Sequence, residues 1–143
     1  FNMSEENLAR ILKWDFVMVG SDSSLRSLKG VLNYGKPHPR GYGTFSRVIR
    51  KYVNQTSILS IENAIYKMTG FPAQKLGLKD RGILKEGSFA DITIFDQETI
   101  AEQATFTDPH NYSTGIKHVL VNGKLTINNG KHESVMNGAI LRK

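Results

Sequence analysis

The sequence contains no cysteine in its 143 residues, which excludes disulfides, a thiolate nucleophile and a cysteine-ligated metal within this chain. A lack of cysteine is typical of proteins in the reducing cytoplasm, so we expect a cytoplasmic location. No segment approaches the roughly 18 consecutive apolar residues of a membrane helix, so we expect no membrane partner. The start, Phe1–Ser4, lacks the basic and apolar regions of a signal peptide, and a first residue other than Met suggests a longer parent chain.

The excess of basic residues does not by itself indicate a nucleic-acid partner. The formal net charge is +6, from 19 Lys and Arg against 13 Asp and Glu. The basic residues are scattered, and the densest group, Arg47, Arg50 and Lys51, falls on the polar side of a predicted helix. Because no recognised nucleic-acid motif accompanies the charge, we expect no nucleic acid as a partner.

The four histidines lack the spacing of a metal site. They are His38, His110, His118 and His132, and none forms a His-x-His or an i,i+4 pair. We expect His110 and His132 to be solvent-facing turn residues, and His118 to point outward from a strand. The sequence therefore predicts no zinc site within this chain.

The first part of the chain is predicted to be rich in helices. Helices are expected after Ser4, Thr44 and Ser60, because each is a capping residue followed by apolar residues at helical spacing. Gly70 is expected to end the third helix, and Pro72 to begin a short fourth one. The expected inward residues are Leu8, Ile11 and Leu12, then Phe45, Val48, Ile49, Tyr52 and Val53, then Ile61, Ala64, Ile65 and Met68.

The second part of the chain is predicted to be rich in strands. Ala90–Phe95 contains β-branched residues and is expected to form one strand. Asn122-Gly123 lies between Ile116–Val121 and Lys124–Asn128, and this dipeptide is typical of a type I′ hairpin turn. Asn129-Gly130 predicts a further turn.

One apolar run ends in a carboxylate. Phe16–Val19 is predicted to be a buried strand, and it is followed by Gly20, Ser21 and Asp22. Barrels of alternating strands and helices place catalytic groups at the C-terminal tips of such strands. There a carboxylate can take a proton from a metal-bound water and pass it to a leaving amine. The alternative is an Asp22 that caps the following loop by accepting backbone N–H bonds.

A stiff, basic loop follows. Pro37 and Pro39 restrict the backbone around His38, so Arg40 is mounted rigidly. The planar guanidinium matches a carboxylate with two parallel hydrogen bonds. The alternative is a surface Arg40 that pairs with a local acid or stacks on Tyr42.

Several short motifs occur in an order that resembles the C-terminal part of N-acyl-D-amino-acid deacylases (D-aminoacylases), which belong to the amidohydrolase superfamily. The most specific is the block of His38-Pro39-Arg40 and Gly43-Thr44-Phe45 after Gly20-Ser21-Asp22. The others are Lys67-Met68-Thr69-Gly70, Asp80-Arg81-Gly82, Ala90-Asp91, Phe95-Asp96, Ala104-Thr105-Phe106 and Val121-Asn122-Gly123.

The resemblance implies an α/β fold class. Residues 1–82 would supply the last strand and helices of a metal-dependent (β/α)₈ barrel, and residues 83–143 part of a small β-sandwich. Asp22 would end the eighth barrel strand, activate zinc-bound water, protonate the leaving amine and be a candidate ligand of a second metal. Arg40 would bind the α-carboxylate of an N-acyl-D-amino acid, and His38 would shape the loop.

The resemblance also implies a zinc-dependent hydrolase whose His and Cys ligands lie on earlier strands that this chain does not contain. We therefore expect the segment alone to be inactive, and to be marginally stable, oligomeric or rearranged. Two alternatives stay open. One is another amidohydrolase, such as a dihydroorotase- or hydantoinase-like enzyme, and the other is a non-enzymatic, β-rich interaction module within residues 83–143.

Overall fold

The computed structural model describes residues 4–142, so Phe1–Met3 and Lys143 lie outside the described residues. Helices occupy the first half of this range and an antiparallel sheet the second half. The helices are α1 (Glu5–Leu12), α2 (Arg40–Arg47), α3 (Ile61–Met68) and α4 (Gly70–Leu76), with a 3₁₀ turn at Gly30–Leu32 and a π-helix at Val48–Gln55. The chain is thus a mixed helix and sheet structure, and within residues 4–142 no helix is long and apolar enough to cross a membrane.

Two predicted helix starts are confirmed by their capping hydrogen bonds. The Ser4 hydroxyl accepts the Asn7 N–H at 3.1 Å, and the Ser60 hydroxyl accepts the Asn63 N–H at 3.2 Å. Each bond satisfies an amide that has no partner inside its helix, which is why serine favours these positions.

Two other predicted helix boundaries are wrong. The second helix begins at Arg40 rather than after Thr44, because Pro39 already has helical dihedral angles (φ −53°, ψ −24°). The Thr44 hydroxyl instead donates to the Arg40 carbonyl at 2.9 Å, inside the helix. Gly70 does follow the C-cap residue of α3, Thr69, as predicted, but it also begins α4, so the fourth helix starts two residues before the predicted Pro72.

The helical core lies between α1, the π-helix and α3. Helix α2 runs directly into the π-helix, where the Thr56 N–H donates to the Lys51 carbonyl five residues earlier at 3.0 Å. Of the five residues predicted to face inward from the second helix, only Phe45 is wrong, since it is 48% exposed. The buried residues of this core are Leu12, Val48, Tyr52, Val53, Leu59 and Ala64.

The predicted strand at Phe16–Val19 is wrong. Phe16 lies in a turn and is 71% exposed, and Val17–Val19 have no regular secondary structure. A strand needs a hydrogen-bonded neighbour, and here the contacts come from a helix instead. The Val19 N–H donates to the Lys67 carbonyl at 3.1 Å, and the buried Lys67 ammonium donates to the carbonyls of Trp14 at 2.5 Å and Val17 at 3.1 Å.

The sheet follows the predicted hairpin. Its strands pair antiparallel in chain order as β1 (Ile92–Phe95), β2 (Ile116–Val121), β3 (Lys124–Asn128) and β4 (Lys131–His132). Asn122 and Gly123 both have positive φ, 51° and 76°, as a type I′ turn requires. The bounds predicted for β2 and β3 are therefore confirmed, and β1 begins two residues later than predicted.

Candidate active site

Asp22 lies on a partly exposed segment without regular secondary structure that follows Val19. Its φ is 49°, and its side chain is 89% exposed. Carboxylate Oδ2 lies 3.1 Å from Nη2 of Arg40, the first residue of α2. The structure thus brings together the two residues singled out by the motifs, although 17 residues separate them in the chain.

The first turn of α2 packs against the residue that follows Asp22. A Cβ atom at Gly41 would lie 2.9 Å from the Ser23 hydroxyl oxygen, so a larger residue there would displace the Ser23 hydroxyl next to Asp22. His38 acts on the same turn, since its Nδ1 accepts the Arg40 N–H at 3.0 Å. The predicted influence of His38 on the loop thus has a local basis, a bond to the Arg40 backbone.

The Asp22–Arg40 pair is accessible to solvent, and Arg40 can leave Asp22 for another carboxylate. The Arg40 side chain is 45% exposed, and ion pairs at such positions contribute only about 0–1 kcal/mol. A guanidinium in this position can exchange one carboxylate partner for another at little cost. The arrangement therefore fits an anion-binding group beside a proton-transfer group, and it also contains the pairing with an acid that the alternative interpretation of Arg40 expected.

The histidines are distributed rather than clustered. His132 is exposed, as predicted, and His118 is half-buried in β2. The prediction for His110 is wrong: it is half-buried, with Nδ1 at 3.2 Å from the Tyr42 hydroxyl and Nε2 at 2.9 Å from the Gly35 carbonyl. Within residues 4–142 no three His, Cys, Asp or Glu side chains form a group that could hold a metal ion.

Three of the recognised motifs meet in a separate structural cluster. Arg81 pairs with Asp91 and donates to the Asn122 side chain, while the Asn122 N–H donates to Asp91 Oδ1 at 2.8 Å. Burial alone would raise the pKa of Asp91, but the Asn122 N–H and the Arg81 guanidinium hold it below its ordinary value. This cluster fastens the loop before β1 to the hairpin turn, so these motifs have a structural explanation.

The model of the amidohydrolase family matches residues 30–127, which is more than half of the chain and includes Arg40. The chain belongs to the amidohydrolase family.

Among curated amidohydrolase relatives, deacylases match most of the chain. It is 44% identical over 123 residues to an N-acyl-D-glutamate deacylase of Alcaligenes xylosoxydans xylosoxydans, covering 86% of this chain and 24% of the relative. A dihydroorotase of Endomicrobium trichonymphae is 41% identical over only 58 residues, covering 41% of this chain and 14% of the relative. The chain thus spans about a quarter of the length of the deacylase.

Solved structures give the same picture for the fold. A D-aminoacylase described as defining a novel subset of amidohydrolases superposes with a TM-score of 0.88 at 36% identity, covering 99% of this chain and 28% of that one. The N-acyl-D-glutamate deacylase of Bordetella bronchiseptica, solved with zinc and a phosphonate mimic of the tetrahedral intermediate, superposes with a TM-score of 0.78 at 36% identity. That match covers 95% of this chain and 28% of the neighbour.

Proposed function

We propose that this chain is the C-terminal part of a zinc-dependent hydrolase that removes the acyl group from N-acyl-D-amino acids. The single observation that carries the proposal is the 44% identity to an N-acyl-D-glutamate deacylase over 86% of this chain. A deacylase of this kind needs a group that binds the substrate carboxylate next to a group that moves protons at the amide bond. Arg40 and Asp22, whose side chains lie 3.1 Å apart, are the candidates for these two groups.

Asp22 is the proton-transfer residue in this proposal. Its exposed carboxylate accepts a proton from the attacking water and delivers it to the nitrogen of the leaving amine. Arg40 turns from Asp22 to the α-carboxylate of the substrate, which leaves Asp22 unpaired and able to act as a base. His38 touches no reacting atom and holds the Arg40 backbone.

The zinc of this proposed enzyme is not accounted for by this chain alone. Since residues 4–142 contain no group of three metal-binding side chains, we assign the principal ligands to the part of the parent enzyme that this chain does not span. Asp22 remains a candidate ligand of a second metal. Zinc present in the related Bordetella bronchiseptica deacylase supports zinc as the metal.

The proposed architecture follows from the same assignment. Residues 1–82 would supply the last strand and helices of a (β/α)₈ barrel, and residues 83–143 part of the small β-sandwich. The segment before Asp22 would become a strand once barrel neighbours pair with it. Its hydrogen bonds to Lys67 support this, because they already fasten the segment to α3.

The test uses the full-length gene product. We expect it to be far larger than 16.0 kDa, to contain zinc, and to hydrolyse N-acetyl-D-amino acids while sparing the L-enantiomers. Hydrolysis of dihydroorotate or hydantoins instead would support the ring-opening amidohydrolases, whose shorter match keeps them as the second candidate. A metal-free product of 16.0 kDa without hydrolase activity would contradict both and favour an interaction module.

A further inference from the structure

Residues 105–113, which we call the strap, contact the Arg40 loop on both sides of Arg40. On the N-terminal side of Arg40, the Phe106 ring lies edge-on to the His38 ring, with centroids 4.9 Å apart. On the C-terminal side, the Ser113 hydroxyl donates to the Tyr42 carbonyl at 3.1 Å. Each contacted residue lies two positions from Arg40, so the strap limits how far Arg40 can move.

One residue of the strap spans both sides by itself. Nε2 of His110 lies 2.9 Å from the Gly35 carbonyl, and Nδ1 lies 3.2 Å from the Tyr42 hydroxyl. A carbonyl only accepts hydrogen bonds, so Nε2 must carry a proton and donate to Gly35. The two ring nitrogens therefore fix the distance between the start of the loop and the first turn of α2.

Tyr42 extends this connection to the segment after Asp22. Its hydroxyl oxygen lies 2.9 Å from the Ser27 carbonyl and 3.2 Å from His110 Nδ1, and with Nε2 of His110 protonated both of these groups are acceptors for its single proton. The Tyr42 ring packs against those of His110 and Tyr112. Burial, and after it the neighbouring Tyr112, raises the pKa of Tyr42, so the hydroxyl keeps its proton at neutral pH. His110 and Tyr42 thus join three separate parts of the chain that lie around the Asp22–Arg40 pair.

We propose that His110 is a positioning residue that, together with Tyr42, holds Arg40 in place for the carboxylate of the substrate. This inference rests on the proposed deacylase function. His110 touches neither Asp22 nor Arg40 in the contacts that carry the proposal, so it acts on substrate binding through the loop. The position of the guanidinium determines binding of the substrate carboxylate, so loosening the loop weakens binding more than it slows the chemical step.

The test measures kcat and KM of the full-length gene product with an N-acetyl-D-amino acid. His110→Ala is expected to raise KM about tenfold and to change kcat less than about twofold. Tyr42→Phe, which removes one hydroxyl, is expected to raise KM less. In the Arg40→Ala background, His110→Ala is expected to have no further effect, because both changes act through the same side chain.

Controls separate positioning from folding. His132→Ala alters an exposed histidine of β4 and is expected to leave both constants unchanged. His110→Gln keeps an amide donor for the Gly35 carbonyl and is expected to recover most of the lost affinity. If His110→Ala does not fold, the positioning role is tested with Tyr42→Phe and His110→Gln instead. Each of these variants is then compared in the wild-type and the Arg40→Ala backgrounds.

The outcomes distinguish this inference from the proposed function. A wild-type product that hydrolyses no N-acyl-D-amino acid overturns both. An active product in which the His110 and Tyr42 variants keep the wild-type KM overturns only the positioning role. So does an additive effect of His110→Ala in the Arg40→Ala background, or an equal loss of kcat and kcat/KM.

Discussion

At the scale of single residues, Asp22→Asn isolates the charge of the proposed proton-transfer group. Asparagine adopts positive φ at least as readily as aspartate, so the backbone at φ 49° is preserved. We expect kcat of the full-length product to fall by about 10²–10⁴-fold, because a positioned acid–base group contributes that much, with KM little changed. Steady-state kinetics with an N-acetyl-D-amino acid measure this.

Asp15→Asn provides the matched control for Asp22→Asn. Asp15 is an exposed carboxylate on the same segment, seven positions earlier, and its substitution is expected to leave kcat unchanged. Full activity of the Asp22→Asn product would show that Asp22 is a structural residue, as the alternative interpretation of the sequence holds.

Single residues also show where sequence reasoning reaches its limit. Asp22 and Arg40 are proposed as site residues from the residues before them, a run of apolar residues for Asp22 and two prolines for Arg40. Their 3.1 Å contact was not, because it depends on how residues 23–39 return to the start of α2. His110 was misjudged for the same reason: its partners Gly35 and Tyr42 are 75 and 68 residues away in sequence.

At the scale of elements, Glu102 joins the helical half to the segment between β1 and β2. Its side chain is 11% exposed, and its carboxylate pairs with Arg50 of the π-helix and with Arg47 of α2. Burial alone would raise the pKa of Glu102, but the bond to Arg50, reinforced by Arg47, holds it below its ordinary value of 4.5. The charged form therefore stabilises the fold.

The pH dependence of that stabilisation follows from the direction in which folding shifts the pKa of Glu102. A carboxyl whose pKa is lowered on folding stabilises the protein fully above its unfolded value and loses this effect as the pH falls through the folded value. We expect Glu102→Gln to lower the free energy of unfolding of the full-length product by about 1–3 kcal/mol at pH 7. Below pH 4.5 the difference from wild type should shrink.

Urea unfolding at a series of pH values measures this difference. Glu98→Gln, on the same segment and exposed, serves as the control and should leave the unfolding midpoint unchanged at each pH. A Glu102→Gln difference that stays constant from pH 7 to about pH 3 would contradict the ion-pair explanation and point to packing instead.

Gly115 tests how tightly the segment before β2 packs. Gly115 and Gly87 both have positive φ, 80° and 83°, but a Cβ at Gly115 would lie 2.4 Å from Ile100 Cα, whereas at Gly87 nothing lies within 4 Å. Gly87→Ala should therefore lower the free energy of unfolding by only about 1–2 kcal/mol, the cost of a positive φ at alanine. Gly115→Ala should lower it by about 2–5 kcal/mol, because the clash of the added Cβ with Ile100 is added to that cost. Equal unfolding midpoints in urea for the two variants would show that the close approach relaxes.

The elements differ in how far the sequence could predict them. The hairpin bounds were predicted because Asn122-Gly123 determines the turn and the register locally. The strand predicted at Phe16–Val19 does not form, because a strand depends on hydrogen-bonded neighbours elsewhere in the fold. The π-helix could not be read from a 3.6-residue period, since its Lys51–Thr56 bond spans five residues.

At the scale of the whole molecule, apolar surface is left uncovered. Leu84 is 82% exposed, and it lines an open groove of about 960 Å³ between α3, α4 and β1 that contains neither Asp22 nor Arg40. Ile94, at the edge strand β1, is 48% exposed. An exposed apolar groove can bind another apolar surface, and an exposed strand edge is a ready template for pairing.

This surface predicts the solution behaviour of the 143-residue chain when it is produced alone. We expect it to self-associate or to unfold without a sharp transition, because its sheet edge and apolar groove have no cover within residues 4–142. Size-exclusion chromatography with light scattering measures the mass, and thermal unfolding the cooperativity.

Ile94→Lys places a charge on the edge strand and should reduce the associated fraction. Lys75→Glu, at an exposed position of α4, should not. A monodisperse monomer of 16.0 kDa that unfolds in one sharp transition would contradict this prediction, since the core around Tyr52 would then be sufficient by itself.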